Sequence, residues 1–189
     1  CTLAEIPSLM RSKRVPVDVV LIHVSPPDEH GDCSLGTSVD IMPAAIENAK
    51  IVIAQVNPHM PRVHGDGFIS FQRIDRAVWV EDELPEAIPV TPTDEEKKIG
   101  SFVADLVEDG STLQMGIGAI PDAVLGQLTD RKHLGIHTEM WSDGALKLIK
   151  CGAVDNSLKR LVPGKTVSAF ITGSKEVYRF IHDNQATVQ

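Results

Sequence analysis

Two glycines at the end of a short apolar run constrain the path of this chain more than any other feature. Gly116-Ile117-Gly118-Ala119-Ile120-Pro121 follows residues 111–115, which read as a strand, and opens residues 122–128, which read as a helix. Glycine permits a tight turn and a close approach of backbone to a ligand, and proline suits the first turn of a helix. A helix that starts this way leaves unpaired N–H groups and a positive dipole end, which favour a phosphate, a carboxylate or an oxyanion. Fifteen residues after Pro121 comes Ile136-His137-Thr138-Glu139-Met140-Trp141-Ser142-Asp143-Gly144, with Glu139 just past a short apolar strand and just before another turn. Open amides beside a potentially nucleophilic acid suggest acyl chemistry on a large anionic cofactor. A purely structural strand-to-helix turn accounts for the glycines equally well.

The rest of the chain alternates in the same manner. Residues 17–23 and 50–56 are β-branched and apolar and read as buried strands. Residues 77–80 add a third strand, and residues 41–48 a short helix with Pro43 in its first turn. Residues 25–38 and 57–67, rich in Pro, Gly, Asp and Ser, read as loops. Residues 81–92 are acidic, contain Pro85, Pro89 and Pro92, and read as a linker. A helix follows: Thr93 and Glu96 form a capping box, Ile99, Phe102, Val103, Leu106 and Val107 mark one buried face, and Gly110 is the stop. Strands over 133–138 and 166–172 and helices over 144–150 and 175–182, the last capped by Ser174, complete the second half. Strand–helix alternation predicts an α/β fold of two related units with mostly parallel sheets, divided into residues 1–88 and 89–189.

Charge and composition exclude several functions. A net charge of −8 argues against a general binder of nucleic acid or anionic membrane, and only 4% aromatic residues leave little on which to stack bases. No apolar run approaches the roughly 18 residues needed to span a bilayer. Neither a leader nor a membrane partner is expected. Cys1, Cys33 and Cys151 are far apart and in no metal spacing, which suits a reducing cytoplasm. Residues 81–110 carry a net charge of −8 and residues 145–182 a net charge of +5. The basic stretch reads either as solvated faces or as company for an anionic ligand.

Other chemistries find less support. No Gly-Lys-Ser/Thr follows the glycines, so a P-loop is excluded. A dinucleotide site is a rival, since Glu139 lies 21 residues past Gly118, but Pro121 stands where a third glycine is needed for close helix packing. The seven histidines show no H-E-x-x-H spacing, and no metal is expected. His64-Gly65-Asp66-Gly67 reads as a polar turn or a substrate-facing loop, Cys33 lacks a partner base, and Ser25 and Ser142 lie outside any G-x-S-x-G elbow.

The stretch from Gln114 to Val124, taken with His137-Thr138-Glu139-Met140-Trp141-Ser142-Asp143-Gly144, resembles the acetyl-CoA hydrolase/transferase family, and within it the 4-hydroxybutyrate and butyrate:acetate CoA-transferases. Residues 17–28 and 54–62 resemble it as well, so the likeness runs through nearly the whole chain. It implies the central part of a longer enzyme. Residues 1–88 would be the C-terminal part of a first CoA-transferase domain, and residues 89–189 the N-terminal part of a second that carries the nucleophile. Glu139 would match the catalytic glutamate of a ping-pong reaction through a glutamyl-CoA thioester. Gln114, Gly116, Ile117, Gly118, Ala119 and Pro121 would line the thioester end of CoA, and Asp143 and Gly144 would support the nucleophile's turn. Acyl-CoA and a free carboxylate are the implied substrates, with no tightly bound cofactor and a homo-oligomeric full-length enzyme. Acyl-CoA hydrolysis and a non-catalytic CoA-binding fragment remain alternatives.

Overall fold

The structure, a computed structural model, describes residues 1–87 and 90–189. Its contacts divide the chain into two compact units, Cys1–Leu84 with Gln189, and Pro85–Val188. The expected boundary falls on Ile88 and Pro89, outside the described residues. The fold is mixed α/β with mostly parallel strand pairing.

The first unit runs α1 (Ile6–Arg11), β1 (Val19–Val24), β2 (Asp32–Ser34), α2 (Met42–Asn48), β3 (Ile51–Val56), β4 (Phe68–Ser70) and β5 (Arg76–Trp79). β1, β3 and β5 form a parallel sheet in that order, with Leu21 beside Ile53 and Gln55 beside Val78. β2 and β4 pair antiparallel inside stretches whose turn residues hid them. The sequence predicts strands buried on both faces, and the structure corrects this. Val20, Ile22 and Val24 of β1 and Val52, Ala54 and Val56 of β3 point into the core, whereas Val19, Leu21 and Ile51 are exposed. The cause is one-sided packing, because α1 and α2 contribute Met10, Ala44, Ala45 and Ile46 to the same core cluster.

The second unit runs α3 (Asp94–Ala104), β6 (Thr112–Leu113), α4 (Ala119–Gly126), β7 (Gly135–Ile136), β8 (Met140–Trp141), α5 (Asp143–Lys150), β9 (Thr166–Val167), β10 (Phe170–Ile171), α6 (Lys175–Ile181) and β11 (Thr187–Val188). Three pairs of strands are parallel, β6 with β7, β8 with β10 and β9 with β11, and a bridge from His137 to Val167 links the first of them to the third. The predicted strand over 166–172 is thus two short strands with different neighbours. Trp141, Leu128, Leu134, Ile136, Leu148, Val177 and Ile181 are fully enclosed and form the core of this unit. The acidic stretch read as a linker is partly built in. The Glu86 carboxylate accepts from the Lys175 N–H at the start of α6, and the Pro85 carbonyl accepts from the Tyr178 hydroxyl.

The capping box predicted at the start of α3 is present. Thr93 Oγ1 accepts from the Glu96 N–H at 3.2 Å, and Glu96 returns the bond to the Thr93 N–H at 2.7 Å. The predicted buried face is not. Ile99, Phe102, Val103 and Leu106 are exposed, and the helix ends at Ala104 rather than Gly110. α3 instead meets α4 through its smallest side chains, Gly100 and Ala104, which let the two backbones approach closely.

That contact decides the outcome of a simple substitution. Alanine at position 100 gains about 1 kcal/mol of helix propensity. Its Cβ, however, would lie 2.8 Å from the Ala123 carbonyl carbon and 3.0 Å from its oxygen, and backbone cannot rotate aside. Overpacking of this kind costs about 1–3 kcal/mol. Gly100→Ala is therefore expected to lower stability by up to about 2 kcal/mol in denaturant unfolding, and a raised midpoint would contradict the close helix contact.

Candidate active site

The two motifs singled out in the sequence lie on adjacent parallel strands. β6 delivers the chain to the glycine turn, and β7 delivers it to Glu139, with Leu113 opposite Ile136. The pairing continues past both strands, since the His137 N–H donates to the Leu113 carbonyl at 3.0 Å. Thr138 then fastens the segments together. Its buried hydroxyl accepts from the Met115 N–H at 3.0 Å and faces the carbonyls of Met115 and Met140, each at 3.0 Å. Met115 immediately precedes the glycines and Thr138 immediately precedes Glu139, so one side chain fixes where both motifs begin.

Beyond that point the two segments open toward solvent. Gln114, Gly116, Ile117 and Gly118 are exposed, Ala119 and Pro121 half-buried. Gly118 is the N-cap of α4 at φ +115°, a conformation that side chains resist, so glycine is required there by the backbone. The first-turn amides of α4 have no acceptor within the helix, which leaves donors for an anion or oxyanion. The Glu139 side chain is exposed, while its carbonyl accepts from Ala169 and Phe170 and so ties the residue to the start of β10.

Behind Glu139 the turn into α5 is equally constrained. Asp143 accepts from the Ser174 hydroxyl at 2.5 Å and the Ser174 N–H at 2.9 Å, joining the start of α5 to the start of α6. Ser174, expected to cap α6 itself, makes no such cap bond and spends its hydroxyl on Asp143. A cavity of about 170 Å³ lies between these turns, lined by Ile117, Gly118, Asp122, Ser142, Asp143 and Thr172. Burial pushes the Asp122 carboxyl above its ordinary range. The charge of Asp143 adds to this, while Lys147 and a hydrogen bond from Ser142 oppose it.

The far side of β7 is braced by two buried polar residues. Asn156 accepts from the Ile136 N–H at 2.9 Å, and the Lys159 ammonium donates to the carbonyls of Ile136 at 2.7 Å and Lys165 at 2.5 Å. Burial lowers the Lys159 pKa. Lys159 therefore serves the fold, and Lys150 pairs with Glu176, so the basic stretch is not simply a reserve of charge for a ligand. Among the described residues no group of three or more His, Cys, Asp or Glu is placed to hold a metal, and no helix is long and apolar enough to cross a membrane. In the first unit, burial pushes the Cys33 thiol up to about 11, which makes it a poor nucleophile, and His64 stands edge-on to Phe68.

Sequence reasoning missed Thr138 and Asp122. Thr138 is the polar residue between two that face outward, and its place in the alternation that begins at the apolar Ile136 was the available signal. Asp122 resembles an ordinary acid in a first helical turn, where the dipole welcomes it. Removing the Thr138 hydroxyl would leave the Met115 N–H buried without a partner, a loss of about 1–3 kcal/mol. Thr138→Val is expected to lower the melting temperature accordingly, and Thr138→Ser to recover most of it. Equal melting of Val and Ser variants would remove the bridge from the account.

Comparison with known proteins agrees with this fold. The acetyl-CoA hydrolase/transferase N-terminal domain matches residues 2–90. A 4-hydroxybutyrate coenzyme A transferase of Clostridium kluyveri is 52% identical over 97% of this chain and 43% of its own length. A succinyl-CoA:acetate/propanoyl-CoA:succinate CoA transferase of Fasciola hepatica is 50% identical over 96% of this chain and 38% of its own. The crystal structure of a 4-hydroxybutyrate CoA-transferase from Porphyromonas gingivalis superposes with a TM-score of 0.96 at 42% identity, covering all of this chain and 48% of that one. The chain thus spans less than half the length of these relatives. Residues 2–90 thus carry the acetyl-CoA hydrolase/transferase N-terminal domain, and the whole chain is similar in sequence and fold to CoA-transferases.

Proposed function

We propose that this chain is part of a CoA-transferase that moves CoA between a short-chain acyl-CoA and a free carboxylate, with Glu139 as nucleophile. The observation that carries this reading is the Thr138 bridge, from which the glycine turn and Glu139 both depart. Residues 1–88 and 89–189 are then adjoining parts of two CoA-transferase domains, in a cytoplasmic homo-oligomer whose remaining chain completes the site.

The chemistry follows from the residue types. The Glu139 carboxylate attacks the thioester carbonyl, forming a mixed anhydride and releasing CoA thiolate. The thiolate attacks the glutamyl carbonyl of the anhydride, so the donor acid leaves and CoA remains as a thioester on Glu139. An acceptor carboxylate then attacks that thioester, and the returning thiolate collects the new acyl group and frees Glu139. Each attack builds negative charge on a carbonyl oxygen, which the open amides of the 116–121 turn are suited to receive. One thioester replaces another, so no outside energy source is needed. A Ser or Cys nucleophile would retain the acyl group, whereas Glu139 retains CoA in activated form.

Hydrolysis is the second reading, favoured by one observation: Glu139 is exposed, and water reaching a glutamyl-CoA thioester would cleave it. Intact-protein mass spectrometry after mixing with acetyl-CoA or butyryl-CoA separates the possibilities. The chain, or a polypeptide extended to the length of its relatives, is expected to gain the mass of bound CoA, and Glu139→Ala to gain none. Steady release of CoA without an acceptor acid would identify a hydrolase. A gain that survives Glu139→Ala, or no gain in either length, would remove Glu139 from the mechanism.

A further inference from the structure

Asp122 is not part of the mechanism above, yet it stands where the two halves of the site meet. It lies on α4, four residues after Gly118, and lines the cavity that Gly118, Ser142 and Asp143 also line. Its Oδ1 atom is enclosed without a hydrogen-bond partner. It also presses on the turn behind Glu139. A Cβ on Gly144 would lie 2.8 Å from Asp122 Oδ1 and 2.9 Å from Leu125 Cδ1, so α4 and α5 touch at this carboxyl and glycine is needed at 144 to let them. The charged groups acting on it, Asp143 and Lys147, are both on α5. α3, the other helix against α4, makes its contact through the uncharged Gly100.

We propose that Asp122 is a positioning residue: seated on Gly144 and Ser142, it sets the spacing between the glycine turn and the turn behind Glu139, and a proton on its carboxyl tightens that setting. This rests on the reading that the 116–121 turn and Glu139 act on one substrate. A neutral Asp122 removes the cost of withdrawing a charge from water, the largest influence on this carboxyl, together with the repulsion from Asp143, and these outweigh the pull of Lys147 and the Ser142 hydrogen bond. An ionised Asp122 restores that cost, which draws the carboxylate toward the open side of the cavity and carries α4 and its open amides with it. Because burial raises the folded-state pKa, the stabilising effect of the neutral form is fully present below the unfolded value. It is lost as pH rises from there through the raised folded value.

The test is an amide NMR titration of the chain from pH 3.5 to 8. In the native sequence, the amides of Ile117 and Gly118 and those of Ser142 and Gly144 are expected to shift together, with one midpoint above the ordinary aspartate range. Asp122→Asn, which keeps the shape and cannot ionise, should hold both turns at their low-pH positions throughout. It should also melt above the native chain at pH 7, with the advantage vanishing as pH falls below the ordinary aspartate pKa. Asp122→Ala should displace both turns at every pH. Separate midpoints for the two turns, or a titration of Ile117 and Gly118 that persists in Asp122→Asn, would overturn the proposal. The native titration alone decides if the variants fail to fold. These readouts report position rather than turnover, so failure to capture CoA on Glu139 leaves them intact, and the converse holds.

Discussion

Thr138 has one hydroxyl and three backbone partners. It accepts from the Met115 N–H and shares its single proton between the carbonyls of Met115 and Met140. Those groups come from the end of the strand that leads into the glycine turn and from the strand that follows Glu139. Buried backbone groups need partners, and here the ladder between β6 and β7 ends two residues too early to provide them. A threonine at 138 completes the pairing that the diverging strands cannot. Separation of the strands leaves the glycine turn and Glu139 open to solvent, and the hydroxyl holds both segments at the point where they part.

Most of the surrounding structure serves to hold this divergence in place. Asn156 and Lys159 grip the two sides of Ile136 just before it, and the Glu139 carbonyl is caught by β10 just after it. Asp143 then locks α5 to α6 through Ser174. A reactive side chain is more accurately placed when its own backbone is bonded on both sides, because the chain has few other conformations to visit. Glu139 fits this pattern: its carboxylate is exposed while its main chain is fixed.

The sequence made the α/β alternation, the capping box of α3 and the two site motifs legible, because each depends on local chemistry. Thr93 and Glu96 are three residues apart and need nothing else to form their bonds. What it hid depends on which face meets which partner. The periodicity of Ile99, Phe102, Val103 and Leu106 described an apolar stripe correctly, but burial followed the small residues Gly100 and Ala104, where backbones could approach. β2 and β4 were hidden by the Pro, Gly and Asp residues around them. The run over 166–172 contains a change of neighbour at Ser168 and Ala169, and no local pattern encodes that. In the site, Gly118 and Glu139 were visible as residue types, whereas Thr138 and Asp122 acquire meaning only from partners more than 20 residues away.

The central claim is that the glycine turn and the Glu139 turn form one structural unit. Native-state amide hydrogen exchange at Met115, Ile136 and His137 tests it most directly. Their N–H groups donate to Thr138, Asn156 and Leu113 in turn. If the unit is single, the three amides open together with one common free energy. An unprotected Met115 beside protected Ile136 and His137 would mean that the glycine turn moves independently of Glu139, and the account of the site would fail.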